Sequence, residues 1–161
     1  MIVIGYQGIG KSSLSKVNNK YIDLESGNFW VNGKRAEDWY IPYCNIAQDL
    51  SSQGHIVFTS SHDVVRKCFI ENLDRTEKVI VVAPSKDLKE QWIEKLKQRY
   101  ESTNLEKDYK AYMNAADRYS ENISELLSDS ISLDGNIIIT HMEYDLEGLI
   151  EVLEENFRKH T

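Results

Sequence analysis

With 161 residues the chain has the length of one ordinary domain, enough to bury roughly two-thirds of the surface its unfolded form exposes. A formal charge of −7 and a pI near 5.1 create a field that repels nucleic acid and anionic membranes but admits small phosphorylated compounds. Two cysteines without metal spacing, Cys44 and Cys68, exclude a disulfide framework; no charged leader and no apolar run near roughly 18 residues predict a cytoplasmic protein without a membrane span.

The apolar run Met1-Ile2-Val3-Ile4 feeds straight into Gly5-Tyr6-Gln7-Gly8-Ile9-Gly10-Lys11-Ser12, which fits the pattern G-x-x-x-x-G-K-[ST] of a strand followed by a phosphate-binding loop. Glycines at 5, 8 and 10 let the backbone curl so that successive N–H groups face a polyphosphate. The predicted nucleotide-binding set is therefore Gly5, Gly8, Ile9, Gly10, Lys11, Ser12 and Ser13. Lys11 suits the outer phosphates as a point charge, and the Ser12 hydroxyl suits a Mg²⁺ that keeps most of its waters. Leu14 and Val17 share one face of a short helix that ends at Asn18-Asn19.

A second strand begins at Tyr21-Ile22 and ends in Asp23-Leu24-Glu25. Strand carboxyl ends form the ligand crevice of an open parallel sheet, so both acids are expected beside the loop. There they would hold Mg²⁺ through water, with Ser12 and Asp23 as the metal pair, or take a proton from a substrate hydroxyl; a solvated acid pair is the plainer reading. Residues 26–53 form an acceptor-side excursion. Gly27, Asn28, Asn32 and Gly33 around Phe29-Trp30-Val31 suggest turns or a small hairpin, and Tyr43, Ile46, Ala47 and Leu50 give the next helix an apolar stripe. Arg35 and Trp39 overhang the cleft in this reading, a guanidinium and an aromatic face for a phosphate and a base, unless Trp39 and Tyr40 only pack the helix.

His55 to Thr59 is a continuous apolar strand ending in Ser60-Ser61-His62-Asp63, whose hydroxyls either face a ligand or cap the following helix. That helix presents Val65, Cys68, Phe69 and Leu73 on one stripe, with Arg66 available to fork onto a phosphate. Lys78 to Ala83 is the next strand. Residues 86–120 read as a lid-like helical region: Leu88, Trp92, Ile93, Leu96 and Tyr100 face inward, Arg99 sits before the polar break Glu101-Ser102-Thr103-Asn104, and Arg118 either leans into the cleft or pairs with Asp117 and Glu121. From Leu105 an apolar seam runs Tyr109, Tyr112, Ala116, Tyr119, Ile123 and Leu126. Asn136 to Thr140 is a fifth strand, with Thr140 and His141 beside a bound base, and an acidic helix with Leu146, Leu149, Ile150 and Leu153 closes the chain. Strands alternating with helices predict an α/β, doubly wound five-stranded parallel sheet in one domain over 1–161.

On the loop at 5–12, the acids Asp23 and Glu25, and the arginines at 66, 99 and 118, the whole chain resembles small P-loop kinases of the nucleoside and nucleotide kinase type, a group that includes deoxynucleoside monophosphate, shikimate and gluconate kinases. Its size and loop are also similar to nucleotide-kinase-like proteins of phage genomes. The resemblance implies strand order 2-3-1-4-5, ATP and Mg²⁺ as cofactors, a small nucleotide such as a nucleoside monophosphate as acceptor, and Lys11, Asp23, Arg99 and Arg118 as catalytic groups, with Asp23, Glu25 and Arg66 at the acceptor, where the excursion's own residues add Arg35 and Trp39. A polynucleotide 5′-kinase and a nucleotide-binding switch with little turnover are the other readings; the acidic charge disfavours nucleic acid as a partner. No Asn-Lys-x-Asp element of GTPases is present.

Overall fold

The structure, a computed structural model, describes residues 1–31 and 34–160; of Trp30 and Val31 the backbone alone is described. Its strands are β1 (Ile2–Gly5), β2 (Tyr21–Asp23), β3 (Trp30–Val31), β4 (Lys34–Arg35), β5 (Ile56–Thr59), β6 (Val79–Pro84) and β7 (Asn136–Ile139). The β-branched runs of β1, β5 and β6 are buried along their whole length, as strands covered on both faces must be. They lie at the centre of one parallel sheet ordered β2-β5-β1-β6-β7. Counting only that sheet's members in chain order gives 2-3-1-4-5. The turn-rich excursion contains the antiparallel ribbon β3–β4, with Trp30 opposite Arg35 and Val31 opposite Lys34. The turn residues Asn32 and Gly33 lie outside the described residues.

The helices are α1 (Lys11–Val17), α2 (Tyr40–Ser52), α3 (Asp63–Glu71), α4 (Lys89–Thr103), α5 (Glu106–Ser130) and α6 (Leu146–Lys159). Each parallel connection carries a helix, as parallel pairing requires. In α1 only Leu14 reaches the core; Val17, the last helical residue, is 81% exposed and does not share its face. α3 ends at Glu71, which leaves Leu73 beyond the helix and in solvent. Neither Ser60 nor Ser61 caps α3; the N-cap position is His62, and the Asp63 carboxylate accepts from the Val64 N–H at 2.9 Å.

The seam of α5 differs from the expected one in its first half. Asp108, Ala111 and Ala115 are buried there, while Tyr109 and Ala116 are exposed; Tyr119, Ile123 and Leu126 are buried as the spacing predicts. The helix is also kinked at Arg118, where φ −134° and ψ 25° depart from helical values. The buried positions Asp108, Ala111, Ala115, Tyr119, Ile123 and Leu126 still follow steps of three and four, one residue earlier than the expected seam in the first half.

Candidate functional site

β1 delivers the chain to the loop at the carboxyl end of the sheet, where the Tyr6 N–H still bonds to the Val82 carbonyl at 3.0 Å. Gly8 and Gly10 then adopt φ of 87° and 107°, left-handed conformations that glycine reaches without steric cost. At Gly5 the constraint is space: a Cβ would lie 2.5 Å from Ile9 Cδ1 and 3.0 Å from Lys11 Cδ. The Lys11 stem thus runs across the start of the loop, and its ammonium donates to the Gly5 carbonyl at 3.0 Å and the Thr59 carbonyl at 3.4 Å. These are the ends of β1 and β5.

Burial lowers the Lys11 pKa; Asp23 and Glu25 act against that shift, and Arg99 adds to it. Asp23, the last residue of β2, has its pKa raised by burial first; Lys11 opposes the rise, and a hydrogen bond with the Glu25 side chain reinforces it. Two carboxyls in mutual contact beside one ammonium can hold or move a proton. Lys107, at the start of α5, approaches Glu25 at 3.9 Å. Arg99 closes the group from α4, its Nε 2.9 Å from the Asp108 carboxylate. The second Asp108 oxygen accepts from the Thr103 hydroxyl at 2.5 Å.

On the excursion side, the Arg35 guanidinium lies 4.3 Å from the Trp39 ring centroid, and its Nη1 is 3.2 Å from His62 Nε2. Desolvation and then Arg35 lower the His62 pKa, so the neutral ring accepts at Nε2. Trp39 meets Phe29 and Tyr43 at ring distances of 6.4 and 5.4 Å. The Tyr43 hydroxyl donates to the Leu24 carbonyl at 2.6 Å and accepts from the Ser60 N–H at 2.8 Å, joining the ends of β2 and β5. Ser60 Oγ and Gln7 Oε1 are buried without a partner among the described residues.

Arg66, expected to fork onto a phosphate, and Arg118, expected to lean into the cleft or to pair with Asp117 and Glu121, both lie against acids of α5. Arg66 is 5% exposed, with Nη1 2.9 Å from Asp129 and Nη2 3.8 Å from Glu125. Arg118 stands at the helix break and reaches Glu125 at 3.2 Å and Glu121 at 3.8 Å. Burying a guanidinium demands a carboxylate partner, and α5 offers two within reach of α3. Thr140 and His141 are exposed at the end of β7.

Three contributors escape sequence reasoning. Asp108 occupies a core-facing position that its charge disguises. Trp92 reads from its spacing as core alone, yet its Nε1 donates to the Gln7 carbonyl at 2.8 Å. Tyr144 donates to the Ile9 carbonyl at 2.7 Å and accepts from Lys95 at 3.1 Å. Beside the loop, Gly10, Ser13, Leu14, Lys95, Met142 and Tyr144 line a shallow groove open to solvent. Among the described residues no group of three carboxylate, imidazole or thiolate side chains is arranged to hold a metal. A Mg²⁺ here would need phosphate oxygens and water besides Ser12 and Asp23, the mode this ion prefers.

No family model and no curated protein matches the chain. Among solved structures it is similar to shikimate kinase from Bacteroides thetaiotaomicron, with a TM-score of 0.53 and 16% identity over 98% of this chain and 97% of that one. An uncharacterized protein from Eubacterium ventriosum aligns over the same shares at 13% identity with a TM-score of 0.48. At these identities the likeness is one of fold: this chain shares the architecture of a small P-loop kinase.

Proposed function

We propose that the protein is an ATP- and Mg²⁺-dependent phosphotransferase acting on a small-molecule acceptor. The observation that carries this reading is the convergence on Lys11: its ammonium spans the ends of β1 and β5, with Asp23, Glu25 and Arg99 near enough to shift its pKa. Gly8, Ile9 and Gly10 would hold the phosphate chain through backbone N–H groups, and Lys11 would hold its outer oxygens. Ser12 and Asp23 would hold a Mg²⁺, which would supply neutralisation of the phosphate charge. An acceptor oxygen attacks the terminal phosphorus, the bond to the bridging oxygen breaks and ADP leaves; a nucleotide would attack through its ionised phosphate oxygen with no proton to lose, whereas a hydroxyl acceptor would pass its proton to the Asp23–Glu25 pair. Arg99 answers the charge spread over the transferring oxygens.

For the acceptor we favour a small nucleotide, with Arg35 on its phosphate and the Trp39 cluster against its base. One observation favours a second reading, a small hydroxylated anion: Arg35 already covers a face of Trp39 at 4.3 Å, which takes that face from a base. The resemblance in fold to shikimate kinase is compatible with either.

The test is thermal stability with ATP–Mg²⁺, followed by transfer of label from γ-labelled ATP to nucleoside monophosphates and to hydroxy acids. A ligand that binds the native state raises its melting temperature by mass action. Label entering one acceptor class decides between the two readings; stabilisation by ATP with no acceptor-dependent turnover would make the protein a nucleotide-binding switch and overturn the enzyme reading.

A further inference from the structure

The phosphate-binding loop is gripped from outside by two side chains that belong to distant elements. Trp92, fully buried on α4, donates its Nε1–H to the Gln7 carbonyl at 2.8 Å. Tyr144, between β7 and α6, donates its hydroxyl to the Ile9 carbonyl at 2.7 Å, with the Gly8 carbonyl at 3.5 Å. The two rings are stacked with centroids 6.1 Å apart and planes inclined by 24°. Lys95 lies 4.4 Å from the Trp92 ring centroid and donates to the Tyr144 oxygen at 3.1 Å. That bond occupies the oxygen as an acceptor and leaves its proton for the loop. Burial pushes the Tyr144 pKa up to about 12, so the donor keeps its proton at neutral pH.

In a planar trans peptide unit the C=O of one residue and the N–H of the next point in opposite directions. Holding the Gln7 carbonyl outward therefore turns the Gly8 N–H inward, and holding the Ile9 carbonyl outward does the same for Gly10. These are amides that a phosphate must find already aligned if binding is not to cost their reordering. The glycines permit this conformation, but by the same freedom they do not enforce it. Contact also constrains Gly8 directly: a Cβ there would lie 3.2 Å from Trp92 Nε1 and 3.0 Å from Leu96 Cδ2.

We propose that Trp92 and Tyr144 are positioning residues that fix the inward orientation of the loop's N–H groups before the phosphate chain arrives. This rests on reading residues 5–12 as a phosphate cradle and is independent of the acceptor's identity. It assigns to α4 and the β7–α6 connection a task that neither performs by touching the reacting atoms.

The experiment compares the full-length protein with Tyr144→Phe and Trp92→Phe, using calorimetry with two probes, ATP–Mg²⁺ and inorganic tripolyphosphate, alongside thermal melts. Tripolyphosphate touches the cradle but has no base or ribose to fill the neighbouring groove. Loss of one donor is expected to weaken both probes by the same factor, about tenfold, the worth of one net hydrogen bond at the upper end of its usual range. Tyr144→Phe keeps the ring and its packing, so it carries the test if Trp92→Phe does not fold. Weaker ATP with unchanged tripolyphosphate would make Tyr144 a wall of the groove and overturn the proposal. A lower melting temperature with both affinities unchanged would make the contact structural only, with the same result. Failure of the wild-type protein to bind either probe would instead overturn the reading of the loop itself, and this inference with it.

Discussion

The Asp108 carboxylate, 3% exposed on the core side of α5, stands 2.9 Å from Nε of Arg99 on α4. Pairing through Nε leaves the two terminal nitrogens of the guanidinium directed elsewhere, and Arg99 is near enough to Lys11 to lower its pKa. The pair thus joins a buried charge to the surroundings of Lys11.

Asp108→Ala is expected to lower stability by about 1–3 kcal/mol, the range for losing hydrogen bonds to a charged group; the half-exposed Arg99 moderates the cost. It should also weaken ATP binding as Arg99→Ala does, with no further loss when the two are combined. Urea denaturation and nucleotide titration of the single and double variants read both effects. Additive losses in affinity would separate Asp108 from any role through Arg99.

Lys11→Ala should abolish the thermal stabilisation by ATP–Mg²⁺ and reduce phosphotransfer by about a hundredfold or more, since a charge on the transferring oxygens is lost. The ligand-free melting temperature should move by no more than about 4 °C, because burial already disfavours the charged ammonium and its removal relieves that cost. Preserved transfer in this variant would remove the central assignment.

Asp23→Asn should cost activity and add stability. The folded pKa lies above the ordinary 3.8, so the folded state binds its proton more tightly than the unfolded chain does. The stabilising contribution is complete below 3.8 and is lost as pH rises through the folded pKa. At pH 7 the isosteric amide escapes that loss. Urea melts of wild type and variant should therefore differ at neutral pH, with the Asp23→Asn protein the more stable, and converge as pH falls toward 3.8. A variant less stable than wild type at pH 7 would contradict the assignment of burial as the dominant influence.

Arg66→Ala and Arg118→Ala should part company in denaturation experiments. Arg66 has 6% of its side chain exposed, and its removal takes a partner from Asp129 while Glu125 keeps Arg118; with both acids partly solvated, a loss of about 1–3 kcal/mol is expected. Arg118 is half-exposed, so its ion pairs are screened, and its removal should change stability by no more than about 0.5 kcal/mol. Equal losses would mean that the helix break depends on the Arg118 side chain.

The parallel sheet and the loop at 5–12 are legible because their signals are local: buried β-branched runs and fixed glycine spacing. What stays hidden depends on partners without fixed spacing. Trp92 reaches the loop across 85 residues and Tyr144 across 135, and in each case an aromatic that looks like packing carries a polar tip. Asp108 looks solvated until Arg99 and Thr103 are brought to it by the turn at Asn104, where φ is 55°. Arg66 hides a partner too, since an arginine after a strand gives no sign in the sequence of the Asp129 carboxylate 2.9 Å from it.

The interruption at Arg118 also divides α5 into two units of unequal security. Tyr119, Ile123 and Leu126 root the second unit in the core, whereas the first buries mainly Asp108, Ala111 and Ala115. Small side chains bury little apolar area, so the amides of residues 106–117 should exchange with solvent through a partial opening, while those beyond the break wait for global unfolding. Such an opening would part Asp108 from Arg99 and Lys107 from Glu25 while the sheet stayed whole. The electrostatic setting of the cleft should therefore depend on how firmly residues 106–117 stay docked against α4, which amide exchange across the two halves of α5 reads out.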